Sequence, residues 1–249
     1  MLFLSGSESN TSKVPKVIGL GKATEILAGA STAAAIASYA SYLKFQEEEE
    51  ITKGFKRTAF SEYIRAGSKV LEIGFGSGNG ANIEYYPEGI ELYAIDPRTV
   101  SEKTSLKAIK EEYLRRGVDL KSMTRASCED LSMFGDSTFD VVVSTLVLCS
   151  VQDQEKSIDE ILRVLKKGGK FIAEEHIYAK DTILGKSQKI FDTPQQILAD
   201  GCHLTRQTDE AISRRVGEDR EFASAAEHQI VTLNSHWPIS RQLFGVYIK

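Results

Sequence analysis

The spacing of hydrophobic and polar positions changes near residue 69, and the two regions predict different structures. Between residues 20 and 65 the spacing favours helices. After residue 69, short apolar runs alternate with stripes of apolar residues at helical spacing. Strands that alternate with helices are typical of βαβ units. The sequence therefore predicts an α/β fold with a doubly wound, mostly parallel sheet.

The apolar runs and stripes also predict where the elements lie. Parallel strands are predicted at 69–73, 91–95, 121–126, 139–145 and 170–173. Helices are predicted over 99–116 and along the stripe from Ile158 to Leu165, which ends at the turn Lys166–Gly169. Two further strands, Gln229–Leu233 and Leu243–Ile248, follow each other without a helix. This predicts an antiparallel C-terminal hairpin that closes one edge of the sheet.

The N-terminal region has its own character, and we divide the chain into an extension over 1–45 and a domain over 46–249. Residues 26–43 carry no charge over 18 positions, about the minimum length for a membrane span. Most of these residues are Ala, Ser, Gly or Thr, so insertion into a bilayer is marginal. Three interpretations stay open: a helix that covers the domain, a membrane span or anchor, and a cleaved organelle-targeting segment.

Composition narrows the function classes. The chain has 249 residues, 41% of them hydrophobic and 27% charged, as expected for a globular protein. Its net charge is -4 and its cations are not clustered, so no nucleic-acid partner is expected, and no protein partner is implied. The three cysteines (Cys128, Cys149 and Cys202) match neither a metal-binding spacing nor a disulfide framework. We therefore predict no metal site and an intracellular location, cytoplasmic or membrane-associated, with organelle targeting left open.

A glycine-rich loop follows the first predicted strand. The segment VLEIGFGSG places Gly74, Gly76 and Gly78 directly after that strand, where a ligand can approach the backbone closely. A dinucleotide-binding loop would need G-x-G-x-x-G, but Asn79 stands at its last position. Glu72 would also place a carboxylate beside a pyrophosphate. A cationic ligand fits this loop better.

An acidic residue ends the second predicted strand. Asp96 follows Gly74 by 22 residues, and a carboxylate at this place can accept hydrogen bonds from both hydroxyls of a ribose. By itself, Asp96 with Pro97 could simply form a turn. The glycine loop at this spacing favours the ligand-binding interpretation.

Together these features resemble the core of the class I S-adenosylmethionine-dependent methyltransferases. The likeness covers residues 69–175 and includes the segment EDLSMFGDSTFD (129–140) and the turn at 165–169. The resemblance implies a Rossmann-like fold, S-adenosylmethionine as cofactor, and adenine contacts just after the third strand. The predicted cofactor-binding residues are Glu72, Gly74, Phe75, Gly76, Gly78, Asp96, Pro97, Cys128, Glu129 and Thr145.

A closer resemblance is to the methyltransferase-like 7 group, which consists of membrane-associated thiol S-methyltransferases. The stretches that carry it are TLVLCSV (145–151), Glu175–His176, DGCHLTR (200–206) and GVYIK (245–249). It implies a small-molecule methyl acceptor, with an alkyl thiol as the substrate, and membrane contact through 26–43. The extension itself resembles that group poorly, because Ala and Ser replace a strongly hydrophobic anchor.

His176 is the candidate catalytic base. It follows the fifth predicted strand, and histidine is the residue type most often used for proton transfer at neutral pH. The alternative is a histidine that only forms part of the site's wall. Glu175 is a weaker candidate, and Asp200 and His203 could line an acceptor pocket. Cys149 and Cys202 are interpreted as small buried apolar residues.

Other functions compete with thiol methylation. The same core could methylate oxygen, nitrogen or carbon in a quinone, phenol, sterol or amine, since a fold does not determine a substrate. A protein that binds S-adenosylmethionine without catalysis is the alternative from another class. A nicotinamide-dependent oxidoreductase is disfavoured by the missing dinucleotide motif.

Overall fold

The computed structural model describes Ser38 and residues 48–76, 80–98, 106–233 and 236–249. Two predictions therefore lie outside the described residues. They are the extension over 1–45 with its candidate membrane segment over 26–43, of which only Ser38 is described, and the role of Gly78. The domain boundary near residue 45 therefore stays a prediction. Within the described ranges, no helix is both long enough and apolar enough to cross a bilayer.

Seven strands form one sheet with the order β3-β2-β1-β4-β5-β7-β6. The strands are β1 (Lys69–Ile73), β2 (Glu91–Asp96), β3 (Asp119–Arg125), β4 (Phe139–Thr145), β5 (Leu165–His176), β6 (Ser224–Thr232) and β7 (Arg241–Ile248). Strands β1 to β5 pair in parallel, while β7 pairs antiparallel with both β5 and β6. The predicted doubly wound, mostly parallel sheet with an antiparallel C-terminal hairpin is confirmed.

The apolar run of β4 shows why this sheet is covered on both faces. Val141, Val142 and Val143 are each at most 1% exposed. Val142 belongs to one hydrophobic cluster, and its two neighbours belong to another. Successive side chains of a strand point to opposite faces, so the unbroken run supplies both cores of a three-layer fold.

The helices are α1 (residues 48–63), α2 (Leu106–Arg115), α3 (Gln154–Val164), α4 (Ile183–Leu198) and α5 (Thr208–Ser213). Helix α3 begins where the side chain of Asp153 accepts a hydrogen bond from the backbone N–H of Lys156 at 3.0 Å. Its predicted stripe of Ile158, Ile161 and Leu162 is buried in the cluster that contains Val142.

The structure differs from the sequence-based expectation at the end of α3. The helix stops at Val164, and Leu165 already pairs with Phe139 as the first residue of β5. Leu165 is fully buried, so its packing against the sheet outweighs the helical spacing. Gly168 does adopt the left-handed backbone expected of it, with φ of 76°, and its N–H donates to the carbonyl of Lys249 at 2.6 Å.

The strand order creates a crevice at one edge of the sheet. From β1 the chain builds β2 and β3 on one side, and then β4 and β5 on the other. The connections that follow β1 and β4 therefore diverge, which leaves a gap beyond the carboxyl ends of these strands. Gly74, Asp96, Thr145 and His176 lie at or just beyond the carboxyl ends of four parallel strands.

Candidate active site

A cavity of about 720 Å³ opens at the carboxyl edge of the sheet. Its size lies within the range of about 300–1,000 Å³ that is usual for small-molecule sites. Its lining comes from residues at or just beyond the ends of all five parallel strands, from the end of α4 and the loop after it, and from Ile239 before β7. Those predicted from the sequence are Gly74, Asp96, Pro97, Cys128, Glu129, Thr145 and His176.

The glycine loop is held against β2. The backbone N–H groups of Gly74 and Phe75 both donate to the carbonyl of Ile95, at 2.9 and 3.1 Å. Gly74 has φ of 73°, and a Cβ placed on it would collide with Cγ2 of Val147. Both the backbone conformation and the close approach of Val147 therefore require glycine at this position.

Asp96 lies at the end of β2, and its carboxylate holds the glycine loop in place. Its Oδ2 accepts the N–H of Gly76 at 2.8 Å, and its Oδ1 accepts the backbone N–H and Nε of Arg98 at 2.8 and 3.1 Å. Burial alone would raise the pKa of Asp96, but the hydrogen bonds from Arg98 and Gly76 outweigh it and lower that pKa. The carboxyl group is therefore ionised at neutral pH.

Among the described residues, three predicted cofactor-binding residues do not line the cavity: Glu72, Phe75 and Gly76. Glu72 is only 3% exposed, and its two carboxylate oxygens accept hydrogen bonds from Asn82 Nδ2 at 2.8 Å and from the hydroxyl of Tyr86 at 3.0 Å. Phe75 packs against the ring of Tyr113, with a distance of 5.8 Å between the ring centroids. The side chains of Glu72 and Phe75 thus contact residues that are not among the lining residues. Their direct contact with a cofactor stays a prediction.

Burial changes the ionisation of Glu72. It raises the pKa of this carboxyl group to about 7, although Asn82 and Tyr86 donate hydrogen bonds to it. Asn82 also donates to Oγ1 of Thr145 at 3.1 Å, which connects the end of β1 to the end of β4. Sequence reasoning missed Asn82, because nothing local marks it as a partner of either residue.

The residues predicted to contact adenine lie after β3. Cys128 is buried and Glu129 half-buried, and both line the cavity. Glu129 also accepts the backbone N–H of Asp153 at 2.8 Å, just before α3. One predicted adenine contact is therefore anchored to the start of a helix.

His176 lies beside the two cysteines that the sequence left as apolar residues. Its Nε2 is 3.0 Å from Sγ of Cys202, and Cys149 lies in the same group. A hydrogen bond from Cys149, together with one from His176, lowers the pKa of Cys202, and the same contact raises the pKa of Cys149. All three side chains are at most 6% exposed and line the cavity.

Glu175 has a positioning role in the structure. It is fully buried, and its Oε2 accepts the backbone N–H groups of Val147 and Leu148, both at 3.1 Å. These bonds hold the turn that carries Cys149. Glu175 does not line the cavity, so the arrangement gives no support to its candidacy as a base.

Charges in the cavity are mostly negative. Asp96, Glu129 and Asp200 contribute three carboxylates, whereas Arg98 is the one Lys or Arg among the described lining residues. Arg98 donates to both Asp96 and Asp200, so it joins β2 to the loop after α4. His203 pairs weakly with Asp192, at 3.8 Å, and is not among the lining residues. Such a site favours a cation over a pyrophosphate.

A family model described as "Methyltransferase domain" matches residues 71–173, which hold most of β1, all of β2 to β4, most of β5 and most of the cavity lining. Residues 71–173 therefore belong to a methyltransferase domain. Several solved structures share the fold of this chain. They include the YcgJ protein from Bacillus subtilis (TM-score 0.52, 13% identity, 79% of this chain and 96% of that one) and the N-methyltransferase NodS from Bradyrhizobium japonicum (TM-score 0.53, 15% identity, 82% and 87%).

The curated relatives of this chain include thiol S-methyltransferases. The human protein TMT1A is 37% identical over 163 residues, which cover 64% of this chain and 66% of the relative. The rat protein TMT1B is 36% identical over 144 residues, which cover 57% of each chain. The chain thus spans less than two thirds of the length of these relatives. The sequence-based resemblance to the class I methyltransferases and to the thiol S-methyltransferase group is confirmed.

Proposed function

We propose that this protein transfers a methyl group from S-adenosylmethionine to the sulfur of a small alkyl thiol. The observation that carries the proposal is one cavity with two chemically different parts. Gly74, Asp96 and Glu129 line one part, and the buried group of Cys149, His176 and Cys202 lines the other. The relatives at 36–37% identity are named as thiol S-methyltransferases, which supports a thiol acceptor.

The cofactor side fits S-adenosylmethionine by charge and shape. The ligand carries a sulfonium and an ammonium group and no phosphate, and the excess of carboxylates in the lining suits it. Asp96 offers the ribose an ionised carboxylate, and Gly76 leaves open space where a side chain would stand. When bound, the cofactor supplies a methyl group that its sulfonium already activates for displacement.

The remaining chemistry is to hold the acceptor, exclude water and remove a proton. A free thiol has a pKa of about 8.5, so only modest help with deprotonation is needed. Nε2 of His176 already faces Cys202, so a proton taken by His176 would be shared with that sulfur. Leu146, Val147, Val151 and Ile239 give the lining an apolar part for the acceptor's carbon chain.

The test is methyl transfer from isotopically labelled S-adenosylmethionine to a panel of one alkyl thiol, one phenol and one amine, read by mass spectrometry. A methyl thioether as the main product is the expected result. A methylated oxygen or nitrogen as the main product would overturn the thiol assignment. Binding of the cofactor without transfer to any acceptor would point to the non-catalytic alternative and overturn the proposal.

A pair of histidine variants tests the acceptor side. His176→Gln should lower kcat for thiol methylation at least tenfold, because general acid–base groups commonly contribute about 10²–10⁴-fold. His203→Gln is the matched control: it lies one residue from Cys202, is not among the described lining residues, and should keep kcat within twofold. Equal kcat values for the two variants would contradict the placement of the acceptor at His176.

The cellular location belongs to the same proposal. All three cysteines are free and buried, which supports a reducing, intracellular compartment. Membrane contact through residues 26–43 stays part of the proposal. Fractionation of cells that express the full chain, compared with a chain lacking 26–43, tests it. Equal distribution of both proteins between membrane and soluble fractions would contradict membrane contact through this segment.

A further inference from the structure

Cys149, His176 and Cys202 form a compact group of metal-ligand side chains. Cys149 comes from the turn after β4, His176 ends β5, and Cys202 lies in the loop after α4. Their ligand atoms all lie within 4.8 Å of one another. The residues are 27 and 26 positions apart, so their sequence spacing matches no metal-binding motif. Only the fold reveals the group.

The distances suit a tetrahedral ion. Zinc binds sulfur at about 2.3 Å and imidazole nitrogen at about 2.0 Å, which places neighbouring ligand atoms about 3.5–3.8 Å apart. Nε2 of His176 lies 3.0 Å from Sγ of Cys202, and the whole group lies within 4.8 Å. Side-chain adjustments of less than about 1 Å would therefore bring the three atoms to coordination distance.

The donor types select a soft ion. Two sulfurs and one imidazole suit zinc, whereas magnesium and calcium prefer oxygen ligands. Two thiolates would also neutralise a divalent cation in a place where an isolated charge is costly. Nε2 of Gln195 donates towards Sγ of Cys202 at 3.8 Å, a contact that orients this sulfur from outside the group.

We propose that Cys149, His176 and Cys202 bind one zinc ion whose fourth position opens into the cavity. Three protein ligands with one open position are typical of catalytic zinc sites, and a Cys₂His set is one known form. With zinc bound, His176 serves the acceptor thiol as a metal ligand in place of the base role given above, and the fall in kcat expected of His176→Gln would then come from loss of a ligand. Its other ring nitrogen, Nδ1, is buried without a hydrogen-bond partner among the described residues. The cost of leaving this buried nitrogen without a hydrogen bond is small compared with the free energy of binding zinc to thiolates.

The open position gives the site a role that rests on the proposed thiol methylation. An acceptor thiol that binds zinc loses its proton to solvent and becomes a thiolate. Its sulfur then forms the bond to the methyl carbon while the bond from that carbon to the cofactor's sulfonium breaks. The cofactor leaves as a neutral thioether, and zinc keeps its oxidation state throughout.

The first experiment measures metal binding without turnover. The full chain is reduced, freed of metal with a chelator, and titrated with Co²⁺, whose absorption bands report thiolate ligands and tetrahedral geometry. Zn²⁺ is then added to displace cobalt. We expect one equivalent of each ion per chain. The absence of a stoichiometric thiolate–cobalt band in the unsubstituted protein would overturn the proposal.

Serine variants identify the ligands. Cys149→Ser and Cys202→Ser should each weaken zinc binding at least 100-fold. Cys128→Ser is the matched control, because Cys128 is also buried and also lines the cavity but lies outside the group. It should keep the metal. Equal zinc affinity in all three variants would overturn the assignment of ligands, and circular dichroism of the metal-free proteins shows whether each is folded.

A second measurement separates the metal site from the proposed function. A small alkyl monothiol added to the cobalt-loaded, unsubstituted protein should change the visible spectrum, because it occupies the open position. An unchanged spectrum would overturn the open position. If the metal-free and zinc-loaded proteins methylate the thiol at equal rates, the activating role fails and thiol methylation stands. If the metal binds as predicted but no thiol is methylated, the proposed function fails and the metal site stands.

Discussion

Replacement of Asp96 by Asn tests where the ribose of the cofactor binds. The substitution keeps the shape of the side chain and removes its negative charge. In the structure, the Asp96 carboxylate accepts two backbone N–H groups at 2.8 Å, from Gly76 and Arg98. These two bonds can stay when a ligand binds. The bonds from the Arg98 guanidinium, at 3.1 and 3.5 Å, are the ones that ribose hydroxyls would replace.

The expected loss follows from these contacts. Two hydrogen bonds from the ribose to a carboxylate are worth about 3 kcal/mol together, at about 1.5 kcal/mol each. Arg98 is 51% exposed, so giving up its guanidinium bonds costs no more than about 1 kcal/mol. The net stabilisation is about 2 kcal/mol, which corresponds to about a 30-fold loss of affinity in Asp96→Asn.

Isothermal titration calorimetry with S-adenosylhomocysteine measures this loss without turnover. Asp200→Asn is the matched control, because Asp200 also lines the cavity and also binds Arg98, but its side chain is 72% exposed. We expect its affinity to stay within threefold of the unsubstituted protein. A loss below threefold in Asp96→Asn, or a larger loss in Asp200→Asn, would refute the placement of the ribose at Asp96.

Two further predictions concern the support of the glycine loop. The pKa of Glu72 is raised from 4.5 to about 7 in the folded protein, so the folded protein holds this proton more tightly than the unfolded chain. The contribution of Glu72 to the free energy of unfolding is therefore largest below pH 4.5. It falls by about 3 kcal/mol as the pH rises to 7 and above. Glu72→Gln, which can still accept from Asn82 and donate to Tyr86, should flatten this fall in urea unfolding measured at several pH values. Gly74→Ala should lower the free energy of unfolding by about 3 kcal/mol, through backbone strain and the clash with Val147. Urea unfolding should show that Val147→Ala, added to Gly74→Ala, restores part of this loss.

Each of these two predictions has an outcome that contradicts it. An unchanged pH dependence in Glu72→Gln would mean that the carboxyl group is ionised in the folded protein already at low pH. Additive effects of Gly74→Ala and Val147→Ala would mean that the two side chains do not collide. Residues in contact are expected to show a coupling energy of about 0.5–3 kcal/mol.

Local signals explain why parts of the site could be predicted. Gly74 and Asp96 are recognisable because each directly follows or ends an apolar strand, and the carboxyl ends of parallel strands meet at one edge of the sheet. His176 was predicted near the cavity by the same reasoning, and it does line the cavity. Glu72 also lies near the end of β1, beside the glycine loop, but its side chain is buried and bonded to Asn82 and Tyr86.

Other features depend on contacts between distant parts of the chain. Arg98 is 102 positions from Asp200, and yet it joins that residue to Asp96. Nothing in the alternation of apolar and polar residues specifies such a pair. Leu165 shows the same limit within one segment, because helical spacing continues through it while pairing with Phe139 makes it the start of β5.

The sequence by itself determined the succession of the strands, the parallel sheet and the glycine loop with Asp96, but it did not predict α4 and α5. The predicted features depend on backbone periodicity and on residues close to each other along the chain. Only the tertiary structure brought Cys149, His176 and Cys202 within 4.8 Å of one another. Side chains from three separate elements meet only after the sheet has formed and α4 has packed, because long-range packing sets their distances and sequence spacing does not.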